Sequence, residues 1–170
     1  MRFTRRSAIV VTLAGLASFS ASATAASRLR QYDGPEVTDI LISKKRRKMW
    51  LMHGDRKLRK YRIGLGFAPE GHKQFEGDGK TPEGTYRIDR RNPNSDFHLS
   101  LGISYPNIND VAFAQSSGKN PGGDIFIHGK PRKKFGTGRD WTAGCISVSN
   151  RHIEEIYAMV SDGTYVTIHP

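Results

Sequence analysis

Apolar runs in this chain are short, and turn-forming residues cut each one off. Ile40-Leu41-Ile42 gives way to the basic stretch Lys44 to Lys48, Met49-Trp50-Leu51-Met52 to Gly54-Asp55, and Leu58 to Ile63 to Gly64 and Gly66. Runs of this length make strands, and Gly and Asp between them make turns. Thr85-Tyr86-Arg87-Ile88, Leu99 to Tyr105, Asp124 to His128 and Tyr165 to Ile168 read the same way. With Gly 18 and Pro 8 in 170 residues, a helix bundle is excluded. Only Ile153, Ile156, Tyr157 and Val160 recur at helical spacing. Asn150 is the expected N-cap of that helix, and Glu154 and Glu155 are expected in its first turn, where the dipole favours acids. The expected fold is one mainly-β domain, a sandwich or barrel, with one or two short helices.

The N-terminus reads as an export signal over residues 1–25. Arg2, Arg5 and Arg6 precede the apolar Ala8 to Phe19, and two small-x-small cleavage sites follow, Ala21-Ser22-Ala23 and Ala23-Thr24-Ala25. Arg5-Arg6 resembles a twin-arginine signal, and an ordinary secretory signal fits as well. The apolar stretch is too short and too rich in Gly, Ser and Thr to span a bilayer permanently. A short leader, 26–36, and a domain over 37–170 complete the expected organisation, in the periplasm or cell envelope.

Charge then narrows the partners. The whole chain carries +11, and loss of residues 1–25 removes three arginines and no acid, leaving 24 basic against 16 acidic residues, or +8. An exported basic protein meets anionic lipid and wall carboxylates rather than nucleic acid. The Lys44 to Lys48 turn has no aromatic interleaving for base contact, and is expected to be solvated and to attract an anionic polymer. Gly79-Lys80-Thr81 resembles the tail of a phosphate-binding loop, but Gln74 stands where the first glycine is needed. No nucleic acid, no cofactor, no metal and no stable membrane insertion are expected, and the protein is expected to be a monomer.

A single cysteine excludes a disulfide framework and a multi-Cys metal site. Outside the cytoplasm, a lone thiol is either buried and inert or chemically employed. Cys145 sits in Trp141-Thr142-Ala143-Gly144-Cys145-Ile146, and His128 ends a strand just before Gly129. A Cys nucleophile needs such a base, and a glycine beside it lets amides turn toward one oxygen. The pair implies acyl transfer through a thioester, and is expected to keep Cys145 ionised and quick to alkylate near pH 6. His53, His72, His152 and His169 read as surface residues, whereas His98 could line a cleft.

Ile127-His128-Gly129 followed by Thr142-Ala143-Gly144-Cys145-Ile146 resembles the signature of the L,D-transpeptidase catalytic domain (YkuD type). Lys80-Thr81-Pro82-Glu83-Gly84-Thr85-Tyr86 resembles that family's Thr-Pro-x-Gly-x-aromatic strand. Ala143 stands where the family commonly has His, and Ser147 where it often has Arg. The resemblance covers about residues 37–169. It implies an L,D-transpeptidase-like β-sandwich or barrel and a peptidoglycan substrate, cleaved between the diamino acid and D-Ala of a tetrapeptide stem. It also implies Cys145 as nucleophile, His128 as general acid and base, the Gly129 carbonyl as the group orienting His128, and Gly144 in the oxyanion hole. Tyr86, His98, Trp141 and Thr142 are expected to contact substrate. Arg139, with Lys130, Arg132, Lys133 and Lys134, is expected to attract stem carboxylates. The acceptor is left open between a second stem, an outer-membrane lipoprotein, a free D-amino acid and water. Water would make the enzyme a carboxypeptidase or a detaching hydrolase. A wall-binding module without turnover is the alternative of another class.

Overall fold

The structure, a computed structural model, describes residues 30–131 and 138–170. The expected export signal and Arg132, Lys133 and Lys134 lie outside the described residues. Strands β1 (Asp39–Ser43), β2 (Lys48–His53) and β3 (Arg56–Arg62) form an antiparallel meander. β4 (Gly84–Asn92) pairs with β5 (Ser100–Ile103), and α1 (Ile108–Ser116) leads to β6 (Phe126–His128). β7 (Ile146–Ser147), α2 (Asn150–Met159) and β8 (Tyr165–His169) complete the chain. Gly54 takes φ +54 in the two-residue turn between β2 and β3, a conformation that costs glycine little.

All eight strands join one sheet in the order β3-β2-β1-β8-β4-β5-β6-β7. β8 inserts parallel to β1 and antiparallel to β4, so the last strand joins the opening meander to the site-bearing half. The sheet curls until its ends meet: Gly64 bridges Ser147, and Gly66 bridges Thr142. This closure needs glycine. A Cβ on Gly64 would lie 2.1 Å from the Arg139 carbonyl oxygen, and one on Gly66 2.0 Å from that of Gly79. The mainly-β expectation therefore holds, as a sheet rolled toward a barrel.

Alternation along β1 and β2 sends Ile40, Ile42, Met49 and Leu51 inward, where all are fully buried. α2 closes the interior with Ile153, Ile156, Tyr157 and Met159. Each such side chain contributes roughly 1.5–3 kcal/mol on burial.

Several local expectations are corrected. Ser149, not Asn150, caps α2, accepting the His152 amide at 3.2 Å. Asn150 Oδ1 instead accepts the Lys130 amide at 2.7 Å and so ties the helix start to the loop after His128. Glu154 and Glu155 lie past the first turn and pair with His98 and Arg59. α1 has no counterpart among the strands and helix marked out by periodicity. It buries only Asp110 and Ala114, too little for an apolar stripe, and is started instead by an Asn107–Asp110 capping box.

The basic turn is not wholly solvated. Lys44 is buried, and its ammonium donates to Glu83 Oε1 at 2.8 Å, to the Thr81 carbonyl at 2.9 Å and to the Gly71 carbonyl. It thereby pins the Thr81-Pro82-Glu83-Gly84 turn. Burial pulls the Lys44 pKa below its ordinary value, against the opposing pull of Glu83. The adjoining loop is equally fixed. Asp78 accepts three backbone amides and the buried Lys73 ammonium, and those hydrogen bonds hold its carboxyl below the usual range despite burial.

Candidate active site

β6 ends at His128, and the segment leading into β7 carries Cys145. The two strands run parallel, with Ile127 opposite Ile146 and His128 opposite Ser147. Residues separated by 17 positions in the sequence thus come to the same rim of the sheet and line one cleft of about 460 Å³. Asn92, Ser95, Phe97, Asp124 and Phe126 form the rest of its wall with Asp96 and Ser100.

His128 is buried, and its Nδ1 lies 2.7 Å from the Gly129 carbonyl oxygen. A carbonyl only accepts, so Nδ1 carries the proton and Nε2 keeps the free lone pair. The ring is held by aromatic neighbours: Phe97 at 4.5 Å between centroids and Trp141 at 5.7 Å, edge-on. Gly129 itself has no room for a side chain, since a Cβ would lie 2.7 Å from Asn150 Oδ1 and 2.8 Å from the Phe97 carbonyl oxygen.

Cys145 is only partly covered as a residue. Its sulfur accepts the Phe126 amide at 3.4 Å and can donate to the Asp124 carbonyl at 3.4 Å. Desolvation by burial pushes the thiol pKa up; the Phe126 amide, Lys73 and Arg90 pull the other way and Asp124 adds to the rise. Burial likewise pushes the His128 imidazole down, more than its bond to Gly129 raises it. Both shifts favour a neutral thiol beside a neutral imidazole. These directions run against the expected thiolate: the same burial that excludes water also disfavours charge on either group.

The turn before Cys145 is built by Thr142. Its hydroxyl donates to the Cys145 carbonyl at 2.7 Å and accepts the Gly144 amide at 3.2 Å. Gly144 adopts φ +137, and a Cβ there would meet the Lys80 carbonyl oxygen at 2.7 Å. Its amide is engaged by Thr142, so the structure gives Gly144 a part in shaping the turn rather than a free donor for an oxyanion. Asp140 anchors the same segment, accepting the Leu65 amide at 2.9 Å and the Arg47 guanidinium through both oxygens.

Of the other anticipated contacts, Trp141 packs on His128 and takes the Lys130 ammonium over its ring at 5.0 Å. Thr142 is buried beneath the Cys145 turn. Tyr86 is a core residue, with its hydroxyl on Asp110 at 3.2 Å, and does not line the cleft. His98 turns to α2, where its Nε2 lies 2.8 Å from Glu154 Oε1. Arg139 is also absent from the cleft lining; its charge acts on Lys48 on the outside of the sheet. His72, expected at the surface, is held between the Glu83 amide on Nδ1 and Asp110 on Nε2, both at 2.9 Å.

Sequence reasoning missed Phe97, Asp124 and the wall they share. Asp124 takes φ +54, places its carbonyl on the sulfur and pairs its exposed carboxylate with Arg90 at 3.2 Å. Arg90 in turn lies over the Phe126 ring at 4.7 Å. Nothing in the local pattern of these residues marks them, because they meet only when β4, β5 and β6 pair.

The family model for the L,D-transpeptidase catalytic domain, YkuD, matches residues 38–168. The chain belongs to this family. Within it, this L,D-transpeptidase domain is 29% identical over 163 residues to YafK of Escherichia coli strain K12, a protein itself named an L,D-transpeptidase provisionally. That match takes in 89% of this chain and 58% of YafK, so the chain spans less than two thirds of its curated relative. Among solved structures, the helical cell shape determining protein Pgp2 from Campylobacter jejuni superposes with a TM-score of 0.62 at 26% identity, over 85% of this chain and 53% of Pgp2. L,D-transpeptidase 1 of Mycobacterium tuberculosis shares the fold at 12% identity, with a TM-score of 0.52 over 79% of this chain and 62% of its own.

Proposed function

We propose that this domain is an exported peptidoglycan-modifying cysteine acyltransferase. It would act in the periplasm on the bond between the diamino acid and D-Ala of tetrapeptide stems. The observation that carries this reading is the convergence of Cys145 and of His128, with Nδ1 committed to the Gly129 carbonyl, in one cleft. That arrangement leaves Nε2 as the base.

The chemistry starts from the neutral pair. The Cys145 thiol proton passes to His128 Nε2 as the sulfur attacks the stem carbonyl carbon, forming the C–S bond. The resulting oxyanion is assigned to the Cys145 backbone amide, a donor that need not reorganise. Collapse breaks the C–N bond, and the imidazolium gives its proton to the departing D-Ala amine. The thioester then meets an acceptor amine, which loses its proton to Nε2 as the C–S bond breaks and Cys145 regains its proton. Starting neutral lets burial strengthen the hydrogen bonds without holding two charges in the resting enzyme. Arg90, beside Asp124 and Phe126 at the cleft wall, is the cation we assign to the stem carboxylate in place of the family arginine that Ser147 replaces.

The acceptor defines the outcome: a second stem gives a crosslink, a lipoprotein lysine an attachment, a free D-amino acid an exchange. The chain lacking residues 1–25 is incubated with disaccharide-tetrapeptide, with and without a D-amino acid, and products are followed by mass spectrometry. Loss of D-Ala with dimer or exchanged product, absent in Cys145→Ala, is the expected result. Release of D-Ala to water alone would make the domain a hydrolase. No turnover would overturn the catalytic reading.

A further inference from the structure

The outward face of the β3-β2-β1 meander breaks a rule of sheet construction. Lys48 on β2 stands directly opposite Arg62 on β3. Like charges facing across an antiparallel pair are destabilising. The next pair on that face is Trp50 opposite Lys60, and Trp50 is flanked on its other side by Leu41 of β1. Lys57 reaches back over the Trp50 ring at 5.9 Å. Among the described residues, none of Lys48, Lys57, Lys60 and Arg62 has a carboxylate within ion-pair distance, whereas Arg47 and Arg59 do. Asp39, one row beyond Leu41, is the carboxylate β1 places on this face.

Edge protection does not account for this. β3 is an edge strand of the sheet order, and lysines there discourage pairing with another chain. Lys48 and Trp50, however, lie one strand in from that edge. Lys45 and Arg46 add two exposed cations around a groove of about 440 Å³ that also takes in Leu41, Trp50 and Lys57. Desolvation first, and then the nearby charges of Arg62, Lys60 and Arg139, hold the Lys48 ammonium below its ordinary pKa. α2 packs on β5 and β6 and meets β3 through Arg59 and Tyr61, the residues that alternate with Lys60 and Arg62 along the strand. A local rule broken with no internal compensation is what a binding surface looks like.

We propose that this face, whose groove shares no lining residue with the cleft of His128 and Cys145, is a docking surface for an anionic glycan polymer, the peptidoglycan itself. Trp50 between Leu41 and Lys60 offers an apolar patch for a sugar face. A bilayer fits less well: Trp50 and Leu41 are only half-exposed, and the exposed ring on the neighbouring β8, Tyr165, is covered by the Arg87 guanidinium at 4.1 Å. Membrane-surface binding needs protruding apolar side chains. The choice of polymer rests on the proposed wall substrate; the docking itself requires no chemistry at Cys145.

The test separates docking from turnover. Cosedimentation of the Cys145→Ala chain with purified insoluble peptidoglycan is measured from 50 to 500 mM NaCl, with and without Lys48→Glu. Binding should weaken steeply with salt, and Lys48→Glu should lower affinity about tenfold at low salt, since it places an acid among the cations. The same substitution puts opposite charges across the β2–β3 pair, so thermal stability should hold or rise. A merely structural role for Lys48 would lower both. In the Cys145 chain, Lys48→Glu should leave turnover of a soluble disaccharide-tetrapeptide within twofold. Unchanged pelleting of Lys48→Glu, or binding to phosphatidylglycerol vesicles without binding to the polymer, would overturn the proposal. Absence of turnover in the parent chain would overturn the catalytic reading while pelleting still decides docking.

Discussion

The Thr142 hydroxyl donates to the carbonyl oxygen of Cys145 at 2.7 Å, and the hydroxyl oxygen accepts the amide of Gly144 at 3.2 Å. One buried side chain therefore closes the turn that presents Cys145. Thr142→Val keeps the shape but leaves a donor and an acceptor without a partner, at about 1–3 kcal/mol. The expected outcome is a drop of roughly tenfold or more in kcat with KM little changed, and a lowered Tm. Thr142→Ser should restore kcat to within about threefold. Equal losses in both variants would show that packing of the Thr142 methyl, not its hydroxyl, matters.

The backbone of that turn admits only glycine. Gly144→Ala would hold an L side chain at φ +137 and press its Cβ against the Lys80 carbonyl, 2.7 Å away. Strain of about 1–3 kcal/mol is expected for the dihedral alone. Urea unfolding should show at least that loss, and activity should fall by about 100-fold, since the sulfur would shift. Retained activity would mean that the turn can re-form in another geometry.

The neutral resting pair sets the pH behaviour. His128 must be unprotonated to take the thiol proton, and its pKa lies below the ordinary imidazole value because of burial. The base therefore stays competent into mildly acidic solution, and the acid limb of kcat/KM should fall below about pH 6.5. Burial raises the Cys145 thiol, so iodoacetamide should label it more slowly than a free thiol at pH 7, with the rate climbing until well above the usual thiol range. Rapid labelling at pH 6 would instead establish a stable thiolate–imidazolium pair.

Lys44 is the tie between the opening meander and the Thr81 to Glu83 turn, one strand away from the site. Lys44→Met removes the ammonium but leaves two carbonyls and Glu83 without their donor. Breaking a buried pair costs about 3–5 kcal/mol; partial exposure of Glu83 brings the expectation toward about 2–3 kcal/mol. A loss of unfolding free energy in urea below about 0.6 kcal/mol would show that water replaces the ammonium.

The candidate site was legible as a pair and illegible as a cleft. His128 and Cys145 stand in strong local contexts, a strand end before glycine and a glycine-preceded cysteine, and those contexts survive folding. Phe97, Asp124 and Arg90 carry no such context. Phe97 reaches His128 because the β4–β5 connection folds over Gly129, and Arg90 reaches Asp124 across Phe126. Tyr86 shows the converse. Its aromatic-strand context suggested a cleft wall, but alternation along β4 turns it inward to Asp110.

What the sequence determined by itself was everything set by neighbours along the chain: strand periodicity, turn positions, one amphipathic helix, the excess of basic residues and the family signature. Period-two burial and glycine's access to positive φ are local properties, so they can be read before folding. Tertiary structure alone decided the insertion of β8 beside β1, the closure of the sheet at Gly64 and Ser147, and the burial of Lys44 within a turn that reads as solvated. It also set the direction in which His128 and Cys145 shift, toward their neutral forms, since desolvation depends on what packs around a group and not on what precedes it in sequence.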